Sequence, residues 1–159
     1  MFKNILVATD GSSSSRAAVR QAFELAQAQD GRVTILSVAP SVAPLAGLSG
    51  ASIDQLADEL KRWSERTAQE GAADAPKGLE VQTRTRSGHI GEEIVSEIES
   101  GGYDLVVLGS RGRGRLASEL FGSANGYVHF HSTVPLLSIS DGESAGDATR
   151  AAELAGTAT

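Results

Sequence analysis

The stretch Ile5-Leu6-Val7-Ala8-Thr9-Asp10-Gly11 decides the fold class of this sequence. Its four consecutive apolar residues do not alternate with polar ones, which is typical of a strand buried on both faces in a parallel sheet. Asp10-Gly11 supplies the turn that ends the strand. A helical stripe follows, formed by Val19, Ala22, Phe23 and Ala26. It ends at the helix-stop pair Asp30-Gly31, so a strand and a covering helix open the chain.

The alternation of strands and helices continues along the sequence. Four further segments predict strands: 33–38, closed by Pro40; 79–86, which alternates; 105–108, which is apolar throughout; and 134–139, with Pro135 near its start. The alternating segment is expected at a sheet edge because its other face is polar. Strands that alternate with helices imply right-handed crossovers, so we predict an α/β fold with a doubly wound parallel sheet and helices on both faces.

Helices are predicted between these strands. Ser52 and Gln55 have the spacing of a capping box, so the second helix is expected to start there, and its apolar stripe runs to Gly71. Two more helices are indicated by Ile94, Val95 and Ile98 and by Ala124, Tyr127, Val128 and His131. We expect residues 39–50 to form a loop, residues 1–140 to form the domain, and residues 141–159 to be a disordered tail.

Composition excludes several functional classes. A chain of 159 residues fits one domain. With no cysteine, disulfide frameworks, thiolate metal sites and thiol nucleophiles are excluded, which fits a reducing cytoplasm. The net charge of -6 argues against nucleic-acid partners. No apolar stretch approaches the ~18 residues of a membrane span. We therefore expect a soluble, cytoplasmic protein with no membrane or nucleic-acid partner.

Chemistry is expected in the turns at the carboxyl ends of the strands, where ligands of open parallel sheets bind. The connection 109–123 is the most unusual of these turns. Glycine lets backbone N–H groups approach a phosphate, and Gly122-Ser123 would open a helix whose free N–H groups favour an anion. Its glycines and arginines are Gly109, Gly112, Gly114, Gly122, Arg111, Arg113 and Arg115. A triphosphate site fits this pattern, and a plain surface loop is the alternative.

Two common nucleotide signatures are absent. A P-loop needs Gly-Lys-Ser/Thr at the first helix start, where this chain has Asp10-Gly11-Ser12-Ser13, and a dinucleotide fold needs a glycine-rich turn at the same place. The segment Gly88-His89-Ile90-Gly91 superficially suggests the nucleotide-binding tetrapeptide of class I synthetases. That motif belongs after the first strand, whereas this segment follows the third.

Three segments carry a resemblance to a known family: Lys3-Asn4-Ile5-Leu6-Val7-Ala8-Thr9-Asp10-Gly11-Ser12, Tyr103-Asp104-Leu105-Val106-Val107-Leu108-Gly109-Ser110-Arg111-Gly112 and Val134-Pro135-Leu136-Leu137-Ser138-Ile139. Together they resemble the universal stress protein family over about residues 1–140. The nucleotide-binding branch of that family has the motif Gly-x2-Gly-x9-Gly-Ser/Thr. Gly109, Gly112, Gly122 and Ser123 stand at that spacing.

The resemblance implies a sheet of order 3-2-1-4-5 and a site for ATP, with or without Mg²⁺ or Mn²⁺. Asp10 would bond the adenosine part, and Val38 with Leu108 would border the adenine. Gly109 and Gly112 would let the loop wrap the ribose and phosphates. The phosphate chain would be held by Gly122, Ser123 and the amide of Ala124.

The resemblance implies that the protein works as a nucleotide-dependent stress-response switch. The protein would act as a homodimer paired through the apolar edge strand Val134–Ser140. An ATP-hydrolysing or nucleotidyl-transfer enzyme is one alternative, but Asp10 and Glu119 form no recognisable acid pair, so at most slow hydrolysis is expected. An interaction module that no longer binds nucleotide is the other, and the intact glycine spacing speaks against it. Ala124-Asn125-Gly126 departs from the family's smoother helix.

Overall fold

Five parallel strands form one sheet. The computed structural model describes residues 1–43, 50–110 and 124–140 of the chain. The strands are β1 (Asn4–Ala8), β2 (Arg32–Pro40), β3 (Glu80–Gly88), β4 (Leu105–Gly109) and β5 (Leu136–Ile139). Their order is β3-β2-β1-β4-β5, and every neighbouring pair is parallel. The predicted fold class and sheet order are both confirmed.

Helices cover both faces of the sheet. They are α1 (Ser13–Gln27), α2 (Gly50–Ala73) and α3 (Ile90–Gly101), followed by helical residues 124–131, which we call α4. Ile5 and Val7 of β1 pack on the side of α1, whereas Leu6 and Ala8 pack on the side of α3 and α4. Because both faces are covered, β1 needs an unbroken apolar run, which is the pattern found in its sequence.

Several predicted boundaries change in the structure, and β3 and β4 end later than predicted, at Gly88 and Gly109. Helix α2 begins at Gly50, so Ser52 lies in its first turn and the capping-box prediction is wrong. Strand β5 begins at Leu136 and not at Val134, because Pro135 has no N–H to donate to the ladder. Strand β2 continues to Pro40, so Ala39 and Pro40 lie in a strand and not in the predicted loop 39–50. The predicted tail 141–159 lies outside the described residues.

Candidate functional site

The order of the strands reverses between β1 and β4, as the sheet order required. Ala8 pairs with Leu108, so the residues that follow each of them, Thr9-Asp10 and Gly109-Ser110, stand side by side at the carboxyl edge of the sheet. Ligands of doubly wound sheets bind at such a reversal. The structure therefore brings together two of the predicted site residues, Asp10 and Gly109.

Asp10 holds the turn into α1. The residue is 4% exposed, and its Oδ1 accepts hydrogen bonds from the Ser12 hydroxyl at 2.6 Å and the Ser12 backbone N–H at 3.0 Å. Ser12 in turn caps α1, since its Oγ accepts the N–H of Ser15 at 3.3 Å. Gly11, between them, has a φ of +75°, a conformation that side chains rarely adopt. One oxygen of the Asp10 carboxylate is thus already used to shape this corner.

Gly109 ends β4 against the first turn of α1. A Cβ at this position would lie 2.7 Å from the backbone N of Ser15 and 2.8 Å from the carbonyl carbon of Ser14. The carbonyl of Gly109 also accepts a 3.1 Å hydrogen bond from Nδ2 of Asn125 on α4. Glycine is therefore required here for packing, which allows β4 and the two helices to meet at one point.

Val38 and Leu108 form an apolar wall below this edge. They are 6% and 3% exposed and belong to one buried cluster with Ala8 and Ile94, on the face covered by α3 and α4. Ala124, the first described residue of α4, is also buried. The two residues predicted to border the adenine therefore lie in one cluster. Four other residues considered from the sequence lie outside the described residues: Gly112, Glu119, Gly122 and Ser123.

Two further polar groups lie at this edge, and the sequence did not reveal them. Ser110 Oγ and Asn125 Oδ1 are buried and have no hydrogen-bond partner. Ser110 follows Gly109 directly and donates its backbone N–H to the Ile139 carbonyl at 2.7 Å. In the sequence, Asn125 stands out only as part of Ala124-Asn125-Gly126, the departure from the family's smoother helix. The only feature of the sequence that could have identified them is their position. Ser110 follows the predicted strand 105–108 and Asn125 lies near the start of the predicted fourth helix, on either side of the glycine-rich connection.

Across residues 1–43, 50–110 and 124–140 no three His, Cys, Asp or Glu side chains are grouped so that they could hold a metal ion. Within the same part of the chain, no helix has the length and apolar character that crossing a membrane requires.

Comparisons with known proteins agree with this architecture. The profile of the universal stress protein family matches residues 1–140. The universal stress protein YxiE of Bacillus subtilis is 33% identical over 147 residues, which cover 86% of this chain and 98% of YxiE.

Two solved structures with the same fold contain adenine nucleotides. One is a universal stress protein in complex with cAMP, with a TM-score of 0.55 and 25% identity, covering 87% of this chain and 96% of its own. The other is a universal stress protein family protein from Arabidopsis thaliana with AMP bound, with a TM-score of 0.63 and 16% identity, covering 89% of this chain and 94% of its own. From the profile match and the identity with YxiE, the chain belongs to the universal stress protein family.

Proposed function

We propose that the protein binds an adenine nucleotide, ATP, in the crevice between β1 and β4 and acts as a nucleotide-dependent stress-response switch. The observation that carries this proposal is the pair of unpartnered buried atoms, Ser110 Oγ and Asn125 Oδ1, beside Gly109. Leaving a buried polar group without a hydrogen bond costs about 1–3 kcal/mol. A ligand rich in hydroxyl and phosphate groups would recover that cost at this point.

The chemistry of the described residues fits the two parts of a nucleoside. The apolar wall of Val38 and Leu108 suits the faces of an adenine ring. Asn125 Oδ1 is an acceptor and suits a ribose hydroxyl, whereas the Ser110 hydroxyl can donate or accept. Asp10 borders the same edge and would take a hydrogen bond from the adenosine part.

The phosphate half of the proposal rests on the resemblance of the sequence motif. Gly109 and Gly112 would let the chain wrap the ribose and phosphates. Gly122, Ser123 and the amide of Ala124 would hold the phosphate chain. Mg²⁺ or Mn²⁺ would accompany the nucleotide, because such ions in nucleotide sites bind largely through phosphate oxygens.

Two relatives support the adenosine part of the assignment. One universal stress protein was solved with cAMP and another family member with AMP, and the two ligands share adenine, ribose and one phosphate. Our proposal of ATP adds the two further phosphates, for which the spacing of Gly109, Gly112 and Gly122 is the supporting feature.

The assembly that we propose is a homodimer paired through β5. Leu136, Leu137 and Ile139 of this edge strand are each only half-buried within one chain. An edge strand with apolar side chains and unpaired backbone groups is stabilised when another strand covers it.

Mass spectrometry of the small molecules released on denaturation tests the proposed ligand directly. Protein purified without added nucleotide is expected to release an adenine nucleotide. Calorimetry then tests the site: in nucleotide-free protein, Gly122→Val should weaken ATP binding by at least about tenfold, because its side chain would hold the phosphates away from charge-assisted hydrogen bonds. Gly126→Ala is the matched control, since a Cβ there meets nothing within 4 Å. An unchanged affinity in folded Gly122→Val would contradict the phosphate assignment.

A further inference from the structure

A second concave site lies on the opposite face of the sheet from Val38 and Leu108. It is a cavity of about 230 Å³ between α1 and α2. Its inner wall includes Val19 and Phe23 of α1 and Thr67 and Gly71 of α2. Both α1 residues belong to the apolar core, and Thr67 is buried. The cavity thus has a largely apolar inner wall and room for a molecule of amino-acid size.

Opposite charges stand on the two helices that border this groove. Arg16 and Arg20 lie four residues apart on α1, whereas Glu70 lies on α2 and Asp74 directly follows that helix. All four line the same cavity and are exposed to solvent. Within the described part of the chain, the ion pairs are confined to Arg84, Arg86, Glu93 and Glu97, so none joins the two sides of the groove.

Charges of both signs that line one cavity without neutralising each other favour a ligand that carries both signs. A carboxylate suits the guanidinium groups of Arg16 and Arg20, which can donate two parallel hydrogen bonds. An ammonium group suits the carboxylates of Glu70 and Asp74. The apolar surface of Val19 and Phe23 suits an aliphatic side chain.

We propose that this groove binds a free α-amino acid with an aliphatic side chain. Arg16 and Arg20 bind its carboxylate, Glu70 and Asp74 bind its ammonium group, and its side chain packs on Val19 and Phe23. The apolar wall of the proposed nucleotide site lies on the other face of the sheet, but Thr9 and Gly11, which flank Asp10, also line this cavity.

Three probes with the same branched aliphatic side chain test whether binding needs the carboxylate, the ammonium group or both. They are L-leucine, 4-methylpentanoate, which lacks the amine, and 3-methylbutylamine, which lacks the carboxylate. Titration into ¹⁵N-labelled full-length protein is followed through the backbone amides of Thr67 and Gly71. Leucine should shift them saturably, and each single-charge analogue should bind at least about tenfold more weakly, since it loses one set of charge-assisted hydrogen bonds.

Variants assign the two charged sides. Arg16→Gln and Asp74→Asn should each weaken leucine binding by about tenfold. Lys61→Gln and Glu99→Gln, which change exposed charges away from this cavity, should leave it unchanged. The proposal is overturned if leucine gives no saturable shift, if the three probes bind equally, or if the groove variants behave like the controls. Leucine binding retained in Gly122→Val would show that it does not depend on the nucleotide site.

Discussion

The Glu97 carboxylate on α3 accepts a 2.8 Å hydrogen bond from Nε of Arg86 on the edge strand β3. It also accepts the hydroxyl of Tyr103 at 2.8 Å and lies 3.4 Å from Nε of Arg84. Burial raises the pKa of Glu97, but hydrogen bonds from Arg86 and Tyr103 and the charges of both arginines outweigh burial, so the pKa is lowered. This carboxylate fastens the outermost strand to the helix that covers it.

Removing the Glu97 charge should therefore destabilise the fold. In Glu97→Gln the shape is kept, but Arg86 loses its closer charged partner and keeps only Glu93, at 3.4 Å. We expect the free energy of unfolding to fall by about 2–3 kcal/mol. This loss is smaller than the roughly 3–5 kcal/mol of a fully buried pair because the Arg86 side chain is 29% exposed and can be hydrated. Urea unfolding measures the change. The exposed Glu99→Gln should shift stability by less than about 0.5 kcal/mol, and an equal loss in both variants would contradict the anchoring role.

The Glu97 carboxylate also makes the stability of the fold depend on pH. Because folding lowers the pKa of Glu97 from 4.5, the unfolded chain binds a proton first as the pH falls. The stabilisation is therefore complete above that value and is lost as the pH drops below it through the folded pKa. The midpoint of urea unfolding, measured from neutral pH down into the acid range, should fall less steeply with pH in Glu97→Gln than in Glu99→Gln. Parallel curves would show that another group controls the acid transition.

The fold was predictable because its signals are local. The unbroken apolar run Ile5–Ala8 is buried only if helices cover both faces of the sheet. The polar face of 80–88 indicates an edge strand. Glu97 was not predictable in the same way. It stands between Ile94 and Ile98 on α3, and only the tertiary contact with two arginines of β3 shows that it is buried and charged.

The site was predictable in its location but not in all its groups. The position beyond β1 and β4 follows from topology, and the resemblance brought Asp10, Val38, Leu108 and Gly109 to it. Whether a buried atom has a hydrogen-bond partner depends on the packed structure, so Ser110 and Asn125 could not be identified from their types. The roles assigned to Gly112, Gly122 and Ser123 stay predictions.

Two glycines near the crevice should respond oppositely to alanine. Gly109→Ala places a methyl group 2.7 Å from the backbone N of Ser15, so a backbone shift is needed and we expect a loss of about 1–3 kcal/mol. Gly126 lies in a helix, and nothing is within 4 Å of a Cβ added there. Gly126→Ala should therefore raise the free energy of unfolding by up to about 1 kcal/mol. Thermal unfolding of the two variants checks the signs. A neutral Gly109→Ala would mean that α1 and β4 can move apart freely.

Hydrolysis of ATP should be slow or absent. One oxygen of Asp10, an acidic residue at the crevice, already accepts two hydrogen bonds from Ser12, which holds it in a structural role. Enzymes typically turn over at roughly 1–1,000 per second. We expect phosphate release below about one per second with either Mg²⁺ or Mn²⁺ present. Faster metal-dependent release that Asp10→Asn abolishes would favour an enzyme instead.

The two edges of the sheet differ in chemistry. On β3, the exposed side chains are polar or charged, including Gln82, Thr83 and Thr85. On β5, Leu137 and Ile139 pack partly against the core on the side of α1, and Leu136 does so on the other side. All three remain half-buried in the single chain. A polar edge can stay in water, whereas an apolar one favours a covering strand.

We therefore predict that the protein is a dimer whose β5 strands pair across a two-fold axis, an arrangement that closes on itself and forms no fibre. Leu137→Lys places a charge in that contact and should shift sedimentation at tens of micromolar from dimer to monomer. Thr83→Lys introduces the same residue on the other edge and should leave the dimer intact. Urea unfolding of both variants confirms that each is folded. A wild-type monomer, or a folded Leu137→Lys dimer, would show that β5 is not the interface.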